Sequence, residues 1–391
     1  MAYKRTRRNI LKTLGIGIAG IGTAGRLLAG ARLPAMSGSA RLFVGTYTKG
    51  KSEGIYRCQF DVASGKLIVE SVTEGVSNPS FLVVDRNRGR LFCVNETAEF
   101  EGKPGGSVSA FALNPETGDL LLLNSRSTHG ADPCYLTIVP DGRFVLVANY
   151  TGGNLAVLPV QNDGSLGEAT DIVQHKGSSV KPRQQGPHAH SVILDSSGQL
   201  AYAADLGLDK VMIYRFDDQK GKLLPSTPGW AGLKPGAGPR HLAISPDGLG
   251  VYVVNELDST LTVFAVDRST GGLEHRQTLS TLPSAFTGEN FPADIRVARS
   301  GRFVYASNRG HDSIVVFAVD TKKGEVSPVQ HETTGGKWPR NFTIDPTGQY
   351  LLVANQRSDT ITVFAIDPES GTLTPNGQAA EVPSPVCLQF L

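Results

Sequence analysis

Seven prolines recur at nearly even intervals: Pro79, Pro133, Pro187, Pro239, Pro292, Pro339 and Pro385, with gaps of 54, 54, 52, 53, 47 and 46 residues. Each opens a similar stretch. The clearest copies are Gly238-Pro239-Arg240-His241-Leu242-Ala243-Ile244-Ser245-Pro246-Asp247-Gly248 and Trp338-Pro339-Arg340-Asn341-Phe342-Thr343-Ile344-Asp345-Pro346-Thr347-Gly348. A repeat of this length, built from short strands and turns, is the mark of a β-propeller, because one blade cannot bury its faces without its neighbours. Seven starts predict seven blades.

One repeat shows the blade. His241 to Ser245 reads as a short apolar strand, and Pro246-Asp247-Gly248 as a turn. Gly250 to Asn255 is a valine-rich second strand, and Thr260 to Val266 alternates apolar and polar residues as a half-exposed strand does. Asp267 to Gly271 turns the chain into a fourth strand, Leu273 to Ser280. That last turn recurs at Asp61–Gly65, Asn114–Gly118 and Asp367–Gly371. The prediction is all-β, with four antiparallel strands per blade.

The chain ends complement each other. Arg41 to Tyr47 matches a second strand and Ser384 to Phe390 a first strand. Together they complete a seventh blade and remove two open sheet edges. The propeller is therefore assigned to residues 41–391.

In such a blade the start of the first strand and the end of the second lie side by side at one mouth of the central channel. Facing residues in an antiparallel pair keep a constant index sum, which predicts Arg240 beside Glu256, 16 residues apart. The same separation gives Ser80/Glu96, Cys134/Tyr150, Ala293/Arg309 and Arg340/Gln356. In the third blade two inserted residues shift the pair to His190/Leu206 and add His188 to the rim, and Tyr47 closes the ring. One mouth is thus expected to collect His188, His190, Arg240, Arg309, Arg340, Glu96, Tyr150 and Glu256. Clustered titratable groups in a concavity make it the candidate site. Structural ion pairs at strand ends are the plain alternative for any one of them. His188-Ala189-His190 has metal-dyad spacing, but alternate strand residues point apart, so no metal site is predicted. No phosphate loop or nucleophile elbow is present.

Residues 1–40 hold seven Lys/Arg and no Asp or Glu, leaving 31 basic and 36 acidic residues beyond them, a net of −5. That balance gives the body no charge-driven affinity for nucleic acid. Thr6-Arg7-Arg8-Asn9-Ile10-Leu11-Lys12 is a twin-arginine pattern, followed by an uncharged stretch, Thr13 to Gly25, too short and glycine-rich for a stable membrane span. Residues 1–40 are read as a signal peptide and linker. They predict the twin-arginine export machinery as a partner and a periplasmic or extracellular location. Cys58, Cys93, Cys134 and Cys387 lack metal spacing and are expected as small buried hydrophobes.

Gly186-Pro187-His188-Ala189-His190, Gly238-Pro239-Arg240-His241, Val254-Asn255-Glu256 and Ser307-Asn308-Arg309-Gly310-His311-Asp312-Ser313 together resemble the lactonase family of seven-bladed propellers. That family includes the propeller type of 6-phosphogluconolactonase and the fungal carboxymuconate cyclase. The resemblance covers about residues 41–391. It implies hydrolysis of a sugar-type lactone, or closure of one, with no metal or other cofactor. Its catalytic histidine, arginines and glutamate would fall on His188 or His190, Arg240, Glu256 and Arg309. Arg240, Arg309 and Arg340 would hold substrate and the oxyanion, with His188 or Glu256 as general base. A cycloisomerase of muconate-type diacids and a non-catalytic exported binding propeller are the rival readings.

Overall fold

The computed structural model describes residues 38–391. The twin-arginine segment lies outside the described residues. Seven four-stranded antiparallel sheets follow one another around an axis, and among the described residues helix is limited to two short 3₁₀ turns, Arg86–Arg88 and Pro182–Gln184. Blade 4 is Pro239–Ile244, Gly250–Asn255, Thr260–Val266 and Leu273–Ser280. The strand bounds match the sequence expectation, except that the first strand starts two residues earlier, at the proline, and ends one residue earlier, at Ile244. In blade 7 the sheet order is Leu67–Glu74, Gly54–Asp61, Ser39–Thr46, Pro385–Phe390, so the C-terminal strand takes the channel position beside the N-terminal one. The first propeller strand begins at Ser39, just before the expected boundary. Among the described residues no helix is long and apolar enough to cross a membrane.

The recurrent outer turn has a local cause. Gly65, Gly118, Gly271 and Gly371 have φ of 70°, 78°, 75° and 71°, a left-handed conformation that costs a residue with a Cβ and costs glycine little. Each of these glycines donates its N–H to the carbonyl of the Asp or Asn four residues earlier. The turns also dock blades together: Tyr202 and Tyr305 donate their hydroxyls to the carbonyls of Gly271 and Gly371, and Tyr350 to that of Ala63, in the next blade's turn. Between these turns and the channel, valine, leucine, isoleucine and phenylalanine from adjacent sheets interleave, as with Val251, Val253 and Phe264 against Tyr202, Val211 and Ile213. Area removed from water there supplies most of the driving force for assembly. All four cysteines are buried and free.

The register departs from a constant index sum where it matters most. In blade 4, Pro239 pairs with Asn255 but His241 pairs with Val254, so Arg240 is the extra residue of a bulge. The same shift isolates Cys134, His190 and Arg340, and a longer one isolates Ala293 and Asp294. Blade 7 shifts at Val386. Arg240 therefore does not face Glu256 in the ladder; the backbone N–H of Glu256 bonds to the carbonyl of Gly238 instead. A bulge twists its strand and re-aims one side chain. Here it turns a ring of such residues toward the channel mouth.

Candidate active site

Glu256 is the hub of one side of the mouth. Only 4% exposed, it sits just beyond the second strand of blade 4. Its Oε2 lies 3.0 Å from Arg240 Nε and 2.8 Å from Arg309 Nη2, and its Oε1 lies 2.8 Å from Arg183 Nη1. Burial alone would raise its pKa; Arg309, Arg240 and Arg183 reverse that and hold it at about 2. Glu256 is thus locked as a carboxylate, and a poor proton acceptor at neutral pH. Burial lowers Arg309 to about 9, with Glu256 opposing, so its guanidinium stays charged at neutral pH. Burial, with repulsion from Arg340, also lowers Arg240, and Glu256 counters it. The carboxylate is what permits two buried guanidiniums to lie together.

Backbone carbonyls fix both cations. Arg309 Nε donates to Phe291 O at 3.0 Å, and its guanidinium lies 5.4 Å from the Trp338 ring centroid. Arg240 Nη1 donates to Ala293 O and, at 3.1 Å, to His241 Nε2. The Nε–Glu256 contact is within ion-pair range but off the line of the N–H, a geometry that can tighten on substrate binding. His241 in turn meets Asp294 Oδ1 through Nδ1 at 2.9 Å, and Asp294 accepts from Asn341 Nδ2 at 2.6 Å. Burial and then Arg240 push His241 down to about 3, so it stays neutral and accepts from Arg240. Beneath this layer, the rings of Phe81, Tyr135 and His241 meet within the channel, with centroids 4.1 to 6.0 Å apart.

The opposite side is organised by Glu96. Its carboxylate accepts from Tyr47 Oη at 2.8 Å and from Ser80 Oγ, while Tyr47 Oη accepts from Arg340 Nη2 at 2.7 Å. Arg340 itself stands 4.0 Å from Glu96, with its guanidinium 5.2 Å from the centre of the Tyr47 ring. The two histidines do not point apart as expected: both rings meet Tyr150, in keeping with the rule that residues two apart along a strand share a face. His188 precedes the strand, stacks on Tyr150 at 4.5 Å and 17°, and shares its Nδ1 hydrogen with Tyr150 O at 2.9 Å. His190 meets the edge of the same tyrosine at 5.2 Å and is only 5% exposed. Burial, then Arg240, His241 and Arg340, hold His190 well below the usual histidine range, so it is neutral. Its Nδ1 lies 3.5 Å from Cys134 Sγ, whose thiol burial pushes up and out of the thiolate range. Tyr150 reaches the Glu256 side through Arg183 Nη2, 2.8 Å from its hydroxyl.

All eight residues expected at the mouth belong to these two connected networks. Sequence reasoning missed Arg183, which follows no repeat because it lies in the long connection from blade 2 to blade 3. It also gave His241 no role, although that residue stands beside Arg240 in the repeated motif. A third omission was legible: an Asn stands at the end of the second strand at Asn95 and Asn149, and one residue before it at Asn308. Each donates its side-chain amide to a carbonyl of the segment leaving the preceding blade, at Ser77, Thr128 and Thr281, with lengths of 3.0, 3.1 and 2.8 Å. These bonds hold the mouth loops in place. Among the described residues, no group of three or more His, Cys, Asp or Glu is arranged to hold a metal ion.

A seven-bladed lactonase propeller family ("Lactonase, 7-bladed beta-propeller") matches residues 41–390. The chain belongs to that family. It is 36% identical over 288 residues to the 6-phosphogluconolactonase of Bacillus subtilis, covering 74% of this chain and 80% of that protein. Identity to the 6-phosphogluconolactonase of Formosa agariphila is 33%, over 74% of this chain and 82% of that one. The periplasmic gluconolactonase of Pseudomonas aeruginosa superposes with a TM-score of 0.85 at 38% identity, covering 90% of this chain and 99% of that structure. The protein is a lactonase of the 6-phosphogluconolactonase-like type, and its mouth gathers buried acid–base and cationic chemistry.

That chemistry carries a pH signature. His241 takes a proton near 6.5 when unfolded but only at about 3 when folded. The unfolded chain therefore binds more protons between those values, and stability falls as pH falls through that window. Glu256, depressed from 4.5 to about 2, contributes stability present above 4.5 and lost as pH drops toward 2. Both act in the same direction, at most about 1.4 kcal/mol per pH unit for each group. The urea midpoint is expected to fall steadily from pH 7 to pH 4; a flat midpoint over that range would contradict the buried neutral histidine.

Proposed function

We propose that the protein hydrolyses a sugar-type lactone at this mouth, with His188 as general base and Arg240 and Arg309 as oxyanion stabilisers. The observation that carries the assignment is the division of roles around Glu256. Its carboxylate is tied up by three guanidiniums, whereas His188 spends only Nδ1–H, on the Tyr150 carbonyl, and among the described residues its Nε2 has no hydrogen-bond partner. A neutral imidazole with that tautomer takes a proton from water as the water attacks the lactone carbonyl. Charge developing on the carbonyl oxygen is met by fixed cations that need no reorganisation. Collapse of the tetrahedral intermediate breaks the ring C–O bond. The proton on His188 passes to the leaving alkoxide, and the product is the open hydroxy acid. Glu96, Tyr150 and Arg340 would bind the ring hydroxyls. His190, neutral and buried, packs edge-on against His241, with ring centroids 5.4 Å apart.

The purified protein is expected to hydrolyse δ-gluconolactone faster than buffer. His188→Gln should lower kcat by about 10²–10⁴-fold, the usual scale of positioned acid–base help, with the melting temperature unchanged. A wild type inactive on a panel of lactones would defeat the reading. A fully active His188→Gln would move the base elsewhere. We further propose that the protein works outside the cytoplasm after twin-arginine export. The Arg7-Arg8 pattern supports this, as does similarity to a periplasmic gluconolactonase.

A further inference from the structure

Three guanidiniums converge on Glu256, but they are not equivalent. The Arg240 and Arg309 side chains are 2% and 5% exposed, while that of Arg183 is 46% exposed. The first two are tethered to backbone carbonyls of blade 5. Arg183 has no such tether, and its contacts are Glu256 Oε1 and the Tyr150 hydroxyl. Its backbone, by contrast, is firmly held. The next residue, Gln184, is fully buried and donates to Leu206 O and Asp209 Oδ1, both at 2.8 Å. Asp209 also accepts from Ser179 Oγ and from the N–H groups of Gly236 and Gly238. The loop carrying Arg183 is thus pinned to the entry of the strand that carries Arg240. It is a rigid base whose guanidinium is held at its tip by two side chains, Glu256 and Tyr150.

We propose that Arg183 is a specificity-determining residue: its guanidinium leaves Glu256 for an anionic group on the substrate, so the site prefers lactones bearing a carboxylate or phosphate to neutral ones. The inference rests on the lactonase reading of the same mouth. Four guanidiniums (Arg183, Arg240, Arg309, Arg340) face two carboxylates (Glu96, Glu256), so the mouth has a surplus of cations for an anion to meet. The exchange replaces one charge pair by another at a half-exposed position, where pairs are weakly held. Glu256 keeps its two buried partners and stays ionised. A carboxylate or phosphate also offers two oxygens to the planar guanidinium fork, which neutral ring hydroxyls do not.

The test compares kcat/KM for D-glucaro-1,4-lactone (carboxylate), 6-phosphogluconolactone (phosphate) and neutral δ-gluconolactone, in wild type, Arg183→Gln and Arg183→Lys. The acidic-to-neutral ratio is expected to fall by about tenfold or more in Arg183→Gln, the scale of one charge-assisted contact, and to be partly kept in Arg183→Lys. Because it is a ratio within one preparation, it does not depend on the fraction folded, and a merely structural role would leave it unmoved. A drop for one acidic lactone alone identifies that group as the one recognised. Unchanged ratios for both overturn the proposal while leaving the lactonase reading intact. If no lactone is hydrolysed, that reading fails. Calorimetric titration with 6-phosphogluconate, gluconate and neutral glucitol then decides on Arg183: tighter binding of either anion than of glucitol that is lost in Arg183→Gln supports it, and anion preference unchanged in Arg183→Gln, or absent in wild type, overturns it.

Discussion

Replacing Arg240 with alanine is expected to lower kcat/KM on δ-gluconolactone by about 10²–10³-fold, the usual loss when one oxyanion donor is removed. Arg240 sits in a bulge and is the largest fully buried side chain of the protein. Its guanidinium joins Glu256, the Ala293 carbonyl and His241. Removal takes away a preorganised cation. It also leaves the His241 acceptor and the Ala293 carbonyl without that donor, a cost of about 1–3 kcal/mol for each group left unpaired. The fold should survive, because Glu256 retains Arg309 and Arg183 and is not left as a lone buried charge. Arg240→Lys should not restore activity, since a single ammonium cannot span these three acceptors from one plane. Steady-state kinetics alongside a thermal melt would check this. An Arg240→Ala enzyme within about threefold of wild type would remove Arg240 from the mechanism.

Deleting residues 384–391 is expected to abolish the cooperative fold. The deletion removes the channel strand Pro385–Phe390, on which Val386, Cys387 and Leu388 are at most 2% exposed. At roughly 1.5–3 kcal/mol for each large buried apolar side chain, this loss alone approaches the ~5–15 kcal/mol that separates folded from unfolded domains. The backbone ladder to Leu42–Thr46 goes with it, as does the bond from Leu388 N to Asn341 Oδ1 that ties blade 7 to blade 6. The inner edge of the strand Ser39–Thr46 would then stand open to other chains. Tyr47 would lose the Ser384 carbonyl that holds its N–H, and with it the link joining Glu96 to Arg340. Circular dichroism melts and size-exclusion chromatography of the truncated protein report the outcome. A soluble protein with an unchanged melting temperature would refute closure by the C-terminal strand.

Blade number, strand order and blade closure were legible because each depends on local pattern repeated along the chain. Alternation, turn residues and periodic prolines report the backbone without reference to partners, and seven copies average out the noise of any one. The mouth was legible more coarsely. A constant index sum gathered the right residues at one mouth, yet it set Arg240, Cys134, His190 and Arg340 opposite partners they do not face, because each lies in a bulge. A bulge adds one residue to one strand, and nothing in the alternating pattern around Pro239 announces it.

By itself, then, the sequence determined the architecture and the set of residues that converge on one mouth, since both follow from repeat period and strand pairing. Only the tertiary structure decided what those residues can do. Ionisation, tautomer and exposure depend on distances between groups from different blades. Glu256 is held as a carboxylate because Arg183, Arg240 and Arg309 reach it from a loop and two blades. His188 keeps a free Nε2 because the Tyr150 carbonyl of blade 2 takes its other nitrogen. These are electrostatic and hydrogen-bonding facts of three-dimensional proximity, and no spacing along the chain encodes them.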